Sequence, residues 1–198
     1  MRHATLIALL LATPAAQAAV IGGEVTGGSA LTVGGTFTLL DPQERFAVGF
    51  DTFQTPHLYA FDEDQNIEID APIAVDIGIS PQKGDVVASH YVFFDPAWGT
   101  GQTGYVEFDA PIFGIATSTG NLAASDYLAN TEVEYLNATL RGLEFEDSVW
   151  IDPEDPFRLR VAWVASTPGD YVRVFTRRSP VARAPGKAVK QSRPPTGR

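Results

Sequence analysis

Asp62-Glu63-Asp64-Gln65-Asn66 sets five oxygen-bearing side chains in a row. Calcium takes about six to eight oxygens from carboxylates, amides and backbone carbonyls. A tight acidic loop supplies several of these at once, so Asp62, Glu63, Asp64 and Asn66 are the candidate metal ligands and Ca2+ the one cofactor expected. The segment lacks the glycine and the distal glutamate of an EF-hand. Asp152-Pro153-Glu154-Asp155-Pro156 is a second acidic turn, stiffened by two prolines. Glu132 and Glu134 stand two apart, as do Glu144 and Glu146. On a strand each pair points one way, and two carboxyl groups about 5 Å apart are what a retaining glycosidase uses. Trp98, Tyr105 and Trp150 offer rings on which a sugar stacks, although aromatic side chains in a sandwich mostly fill the core.

Other chemistries find little support. After the first residues the chain has only His57 and His90, no Gly-x-Ser-x-Gly elbow and no cysteine. That excludes thiol nucleophiles and disulfides and leaves too few histidines for a typical catalytic zinc. His90 shares its face of an apolar run with Val86, Ala88, Val92 and Phe94, which makes it a core histidine. No phosphate loop or dinucleotide fingerprint occurs. No catalytic residues are assigned, and the reading leans away from an enzyme.

The elements that must position these groups are strands. Short apolar or alternating runs, punctuated by Gly, Pro, Asp and Asn, predict strands at 36–40, 58–61, 66–70, 73–79, 86–94, 104–108, 112–117, 133–136, 148–151, 159–165 and 171–176. Leu159, Val161, Trp163 and Ala165 point one way, and Arg158, Arg160, Ala162 and Val164 the other. One short helix is expected within 121–129. The fold class is all-β, a single β-sandwich of jelly-roll type spanning 19–176. A large apolar residue followed by Asp recurs at Leu40-Asp41, Phe50-Asp51, Phe61-Asp62, Ile69-Asp70, Phe94-Asp95, Phe108-Asp109 and Ile151-Asp152. Asp caps turns by bonding the backbone two residues on. The functional alternative is that several strand ends gather carboxylates at one rim, where a hard cation bridges them.

The body from 19 to 176 carries all 24 acidic residues and six basic ones, a formal charge of −18. Such a body repels nucleic acid and attracts divalent cations and basic partners. Ahead of it, MRHATLIALLLATPAAQA has a basic start, a short apolar run and the small-residue end Ala16-Gln17-Ala18, the layout of a secretory signal peptide over 1–18. The run is too short to span a bilayer, so the mature chain, starting near Ala19, is expected to have no transmembrane anchor. Residues 177–198 hold seven Lys and Arg and no acid, the composition of a disordered basic tail.

Three segments, Tyr59-Ala60-Phe61-Asp62-Glu63-Asp64-Gln65-Asn66-Ile67, Val87-Ala88-Ser89-His90-Tyr91-Val92-Phe93-Phe94-Asp95-Pro96 and Gly120-Asn121-Leu122-Ala123-Ala124-Ser125-Asp126, resemble a group of uncharacterised exported bacterial proteins. Many of that group carry a C-terminal sorting signal of the PEP-CTERM or VPxPA type. The resemblance covers most of Val33 to Phe175 and implies an exported location, periplasmic, extracellular or at the cell surface, with no activity attached. A sorting signal needs an apolar stretch before its basic residues, and Val181 to Arg198 has only the basic residues. The expectation is therefore a released protein, or a C-terminus altered by an event such as a frameshift.

Together these features lead to the expectation of a non-catalytic exported β-sandwich that serves as a cell-surface, matrix or secreted component, stabilised by calcium. The alternative is a carbohydrate-binding or glycoside-cleaving domain using Glu132 and Glu134. The partner expected in either case is an extracellular glycan or an envelope component.

Overall fold

A computed structural model describes residues 19–178. The expected leader over 1–18 and the tail from 179 to 198 lie outside the described residues. In chain order the strands are β1 (Val20–Gly27), β2 (Phe37–Leu39), β3 (Ala47–Val48), β4 (Leu58–Asp62), β5 (Ile67–Glu68), β6 (Ile77–Gly78), β7 (Val86–Phe94), β8 (Thr100–Phe108), β9 (Ile112–Ala116), β10 (Glu134–Tyr135), β11 (Ser148–Asp152), β12 (Asp155–Ala165) and β13 (Asp170–Arg177). Two short α-helices, α1 (Gly28–Thr32) and α2 (Thr119–Ala124), and three single 3-10 turns, at Pro42–Glu44, Asp126–Leu128 and Ala138–Leu140, are the remaining described elements. The chain is an all-β sandwich.

One sheet runs β1-β8-β12-β11, and the other runs β2-β4-β7-β13-β9-β6 with β5 beside β7. β3 and β10 form a separate two-stranded parallel pair, and the chain crosses between the two large sheets from β1 to β2, β7 to β8, β8 to β9, β9 to β11 and β12 to β13. Between the sheets lies a core that includes Val25, Leu58, Val92, Phe94, Val106, Leu159, Val161, Trp163, Val172 and Val174. The alternation expected for β12 holds, with Leu159, Val161, Trp163 and Ala165 buried and Val164 exposed.

The larger sheet is covered on its other face too. Tyr59, Phe61, Tyr91, Phe93, Tyr171 and Phe175 form a second core there with Leu122, Leu128 and Val133 from the 117–143 segment. Two-sided burial explains why β7 reads VVASHYVFF, with every residue after Val86 buried. A strand wetted on one face would alternate. The covering segment is pinned at α2, where Asp76 accepts hydrogen bonds from the amides of Thr117 and Ser118, the Ser118 hydroxyl and Asn121 Nδ2. Burial raises the Asp76 carboxyl, but these bonds outweigh it and hold the group below its usual range.

The structure departs from the sequence expectation in several places. β1 and α1 fall ahead of the first expected strand, where Gly22-Gly23, Gly27-Gly28 and Gly34-Gly35 break any apolar period, so there are two short α-helices rather than one. A Cβ on Gly23 would sit 2.6 Å from the Phe37 ring, and one on Gly104 would sit 2.4 Å from the Glu24 carbonyl. Glycine at these places lets strands and sheets approach closely, at the cost of a readable strand pattern. The expected strand over 73–79 shrinks to Ile77–Gly78, because Gly78 adopts φ +86°. β13 runs on to Arg177, so the folded body takes in the first residue assigned to the tail.

Candidate functional site

One group of linked ionisable side chains is closed and largely buried. Arg173, central on β13, is fully buried, as is the side chain of Glu63 just past β4. Arg173 Nε and Nη2 donate to the two Glu63 oxygens at 2.6 and 2.9 Å. Its Nη1 serves the Leu122 carbonyl, Ser125 Oγ and Asp126 Oδ1. The Ser89 and Tyr135 hydroxyls complete Glu63, each at 2.6 Å. Arg141 holds Asp126 through two parallel bonds of 2.8 and 2.7 Å. Burial raises the Asp126 carboxyl, and the two arginines more than reverse this, leaving it below its ordinary range. Burial and the Glu63 carboxylate push the Tyr135 phenol far up, so its hydroxyl stays a donor. This network fastens the covering layer to the sheet.

Asp62, next to Glu63, points the other way, as neighbours in extended backbone do. Its Oδ1 accepts from the Val20 amide at 2.9 Å and from His90 Nδ1 at 2.7 Å. His90 Nε2 in turn meets Thr176 Oγ1 at 2.9 Å. Hydroxyl, imidazole and carboxylate thus line up in the order of a nucleophilic triad, which the sequence does not signal because the hydroxyl comes from β13. Both His90 and Thr176 have zero exposure, and the imidazole lies against the Phe108 ring at 4.8 Å. No substrate reaches this hydroxyl in the folded chain, so the row acts as a polar seam joining β13, β7, β4 and β1.

The acidic loop is thus divided. Glu63 is held by Arg173 and Asp62 by His90 and Val20, on opposite faces of the sheet. Asp64 is partly buried, and its backbone bonds to Leu128 and Ser89. Burial, with the Glu63 charge added, raises its carboxyl above the ordinary range. Asn66 adopts φ +55° at the turn into β5. Among the described residues, no group of three or more His, Cys, Asp or Glu side chains is arranged to hold a metal ion.

The carboxylate pairs do not share strand faces. Glu132 lies in a turn before β10 and pairs with Arg45 at 3.0 Å, both exposed. Glu134 is on β10, while Glu144 and Glu146 are in the loop before β11. In the second acidic turn Asp152 caps the Glu154 amide and receives Arg160 Nε at 2.8 Å. These groups hold its carboxyl below the usual range, the amide contributing most.

Two of the three candidate aromatics do share a surface. Trp150, Arg160, Tyr105 and Glu24 are direct cross-strand partners on β11, β12, β8 and β1, and partners in register project to one side. The neighbours Val149, Val161, Gly104 and Val25 turn to the core, so this row faces outward. Trp150 is 41% exposed, and the Arg158 guanidinium lies 4.8 Å from the Tyr105 ring centre. Trp98 is elsewhere, in the turn before β8.

At one end of the sandwich Asp95, directly after β7, meets the 49–55 loop. Its Oδ2 accepts from the Phe53 amide at 3.0 Å and Thr52 Oγ1 at 3.4 Å. On the inner side of the same end Asp170 begins β13 and lines a cavity of about 10 Å³ with Glu144 and residues 164–169.

Among the described residues, no helix is long and apolar enough to cross a membrane. No protein-family model matches the chain, nor does any curated protein or solved structure.

Proposed function

We propose that this chain is a non-catalytic exported β-sandwich that serves as a cell-surface, matrix or secreted component. The observation that carries the reading is the start of β1. The Ala19 amide donates to Asp109 Oδ1 at 2.9 Å, and the Asp109 amide donates to the Ala19 carbonyl at 3.0 Å. Cleavage after Ala18 would turn that amide into an ammonium facing a carboxylate, so maturation at the expected point adds an ion pair where β1 joins the sheet. The non-catalytic part is supported by the sealed triad-like row and the closed Arg173–Glu63 centre, in which the reactive side chains bind one another.

Mass spectrometry of the exported protein should find Ala19 as the first residue. Asp109→Asn should then cost about 1 kcal/mol, more in the processed chain than in one with a residue added before Ala19. The difference should fade at high pH as the amine loses its proton. A chain retained inside the cell with Met1 still attached would overturn the export reading.

A second reading, glycan binding, is favoured by the outward row Trp150–Arg160–Tyr105–Glu24. An aromatic face beside charged hydrogen-bonding groups suits a sugar ring. The separation of Glu132 from a shared strand face favours binding over cleavage. On a glycan array Trp150→Ala should lose whatever the parent chain retains; a parent chain that retains none would end this reading.

A further inference from the structure

Two of the seven apolar-Asp positions, Asp51 and Asp95, are brought to one place by the bonds from Thr52 and Phe53 to Asp95, and each keeps an oxygen that no protein group serves. Asp95 has zero exposure. Its Oδ2 is held by residues 52 and 53 and its carbonyl by the Thr55 amide at 3.0 Å, but its Oδ1 is buried without a hydrogen bond. Asp51, next to the residues that hold Asp95, has its own Oδ1 buried and unpartnered. An orphaned buried carboxylate oxygen is costly, and two on neighbouring carboxylates are costlier because like charges repel.

The electrostatics agree. Burial pushes the Asp95 carboxyl above its usual range, the amides of residues 52 and 53 pull it back, and the Asp51 charge adds to the rise. The backbone around the pair is unusual as well, with φ near +58° at Phe50, +57° at Asp51 and +52° at Gln54. Non-glycine residues adopt this region only where their surroundings enforce it.

We propose that Asp51 and Asp95 bind a calcium ion, with Asp51 Oδ1 and Asp95 Oδ1 as its two anionic ligands. Calcium accepts carboxylates together with backbone carbonyls and water in a loose shell, so it does not need three converging acids from the protein. Asp51 is partly exposed, which gives the ion an entry path, and the −18 body draws cations toward it. The competing resolution is a proton shared between the two carboxyls, and the test separates them. The ion would join the loop before β4 to the end of β7 and replace repulsion with a bridge. The inference depends on the fold alone, so it and the export reading fail separately.

The test uses the full-length chain, with calcium chloride or a chelator as the only addition. At about 100 times the dissociation constant, calcium should raise the melting midpoint by about 5–10 °C. Asp51→Asn and Asp95→Asn should each abolish that rise, while Asp64→Asn keeps it. In chelator Asp51→Asn should melt at or above the parent, because the repulsion is gone. Terbium should luminesce when excited through tyrosine in the parent, and this emission should be lost in Asp51→Asn. If Asp95→Asn does not fold, the partly exposed Asp51 carries the test, with Asp51→Ser as its second variant. A midpoint indifferent to calcium, or raised by acid alone, would overturn the proposal in favour of the shared proton. A calcium response that survives in Asp51→Asn would overturn it outright.

Discussion

Arg173→Met is expected to lower the unfolding free energy by about 3–5 kcal/mol, a large part of the roughly 5–15 kcal/mol that a domain holds in total. The replacement leaves Glu63 charged, with a fully buried side chain, and only the Ser89 and Tyr135 hydroxyls to compensate it. It also frees the Leu122 carbonyl and Ser125, so the covering layer loses its fastening to the sheet. Urea denaturation measures the loss. The informative comparison adds Glu63→Gln to the same chain. Removing the stranded charge should return part of the stability, so the two substitutions together should cost less than the sum of their separate effects. Losses that simply add would mean that the arginine acts through packing alone and that the ionic account is wrong.

The second large effect is a pH dependence seated at Asp170. This residue is 3% exposed and its Oδ2 has no hydrogen-bond partner. Burial first, then the charges of Asp147 and Glu144, push its carboxyl up to about 8. In the unfolded chain an aspartate gives up its proton near pH 3.9. Between that pH and about 8 the native state binds the extra proton, so stability falls as pH rises across this window and levels off above it. The total is on the order of 5 kcal/mol. Asp170→Asn keeps the shape and removes the titration, so the variant should overtake the parent as pH rises and gain most above pH 8. Denaturant titrations at pH 5, 7 and 9 decide it. A gap between the two chains that is the same at all three values would place the cost of Asp170 elsewhere.

Strands with a strong apolar signal were legible in the sequence. The expected run over 86–94 is β7 to the residue, and the alternation from Leu159 to Ala165 sorts the two faces of β12 correctly, because both patterns follow directly from burial. β1 was not legible, since VIGGEVTG contains glycines where close approach excludes side chains, and β3 is too short to leave a period. The acidic stretch from Asp62 to Asn66 reads as one loop only when its residues are counted along the chain. Its first residue ends β4, and extended backbone sends Asp62 and Glu63 to opposite faces. The recurrence of Asp at strand ends was the better guide. Asp41 and Asp152 cap the amides two residues on, as the local explanation requires. Asp51 and Asp95 come together only in the fold. The partners of Arg173 lie 47 to 110 residues away in sequence, a separation that a linear reading gives no means to anticipate.

β13 is the last strand among the described residues and lies in the middle of the larger sheet, between β7 and β9. A chain still being made therefore holds two separate pieces, β2-β4-β7 with β5 on one side and β9-β6 on the other, and no continuous sheet for the covering layer to rest on. The contacts that close the molecule are all long in sequence, and such contacts form slowly because loop closure precedes their reward. Closure of the larger sheet must therefore wait for residues 170–177, because β7 and β9 have no strand in common until β13 is laid between them.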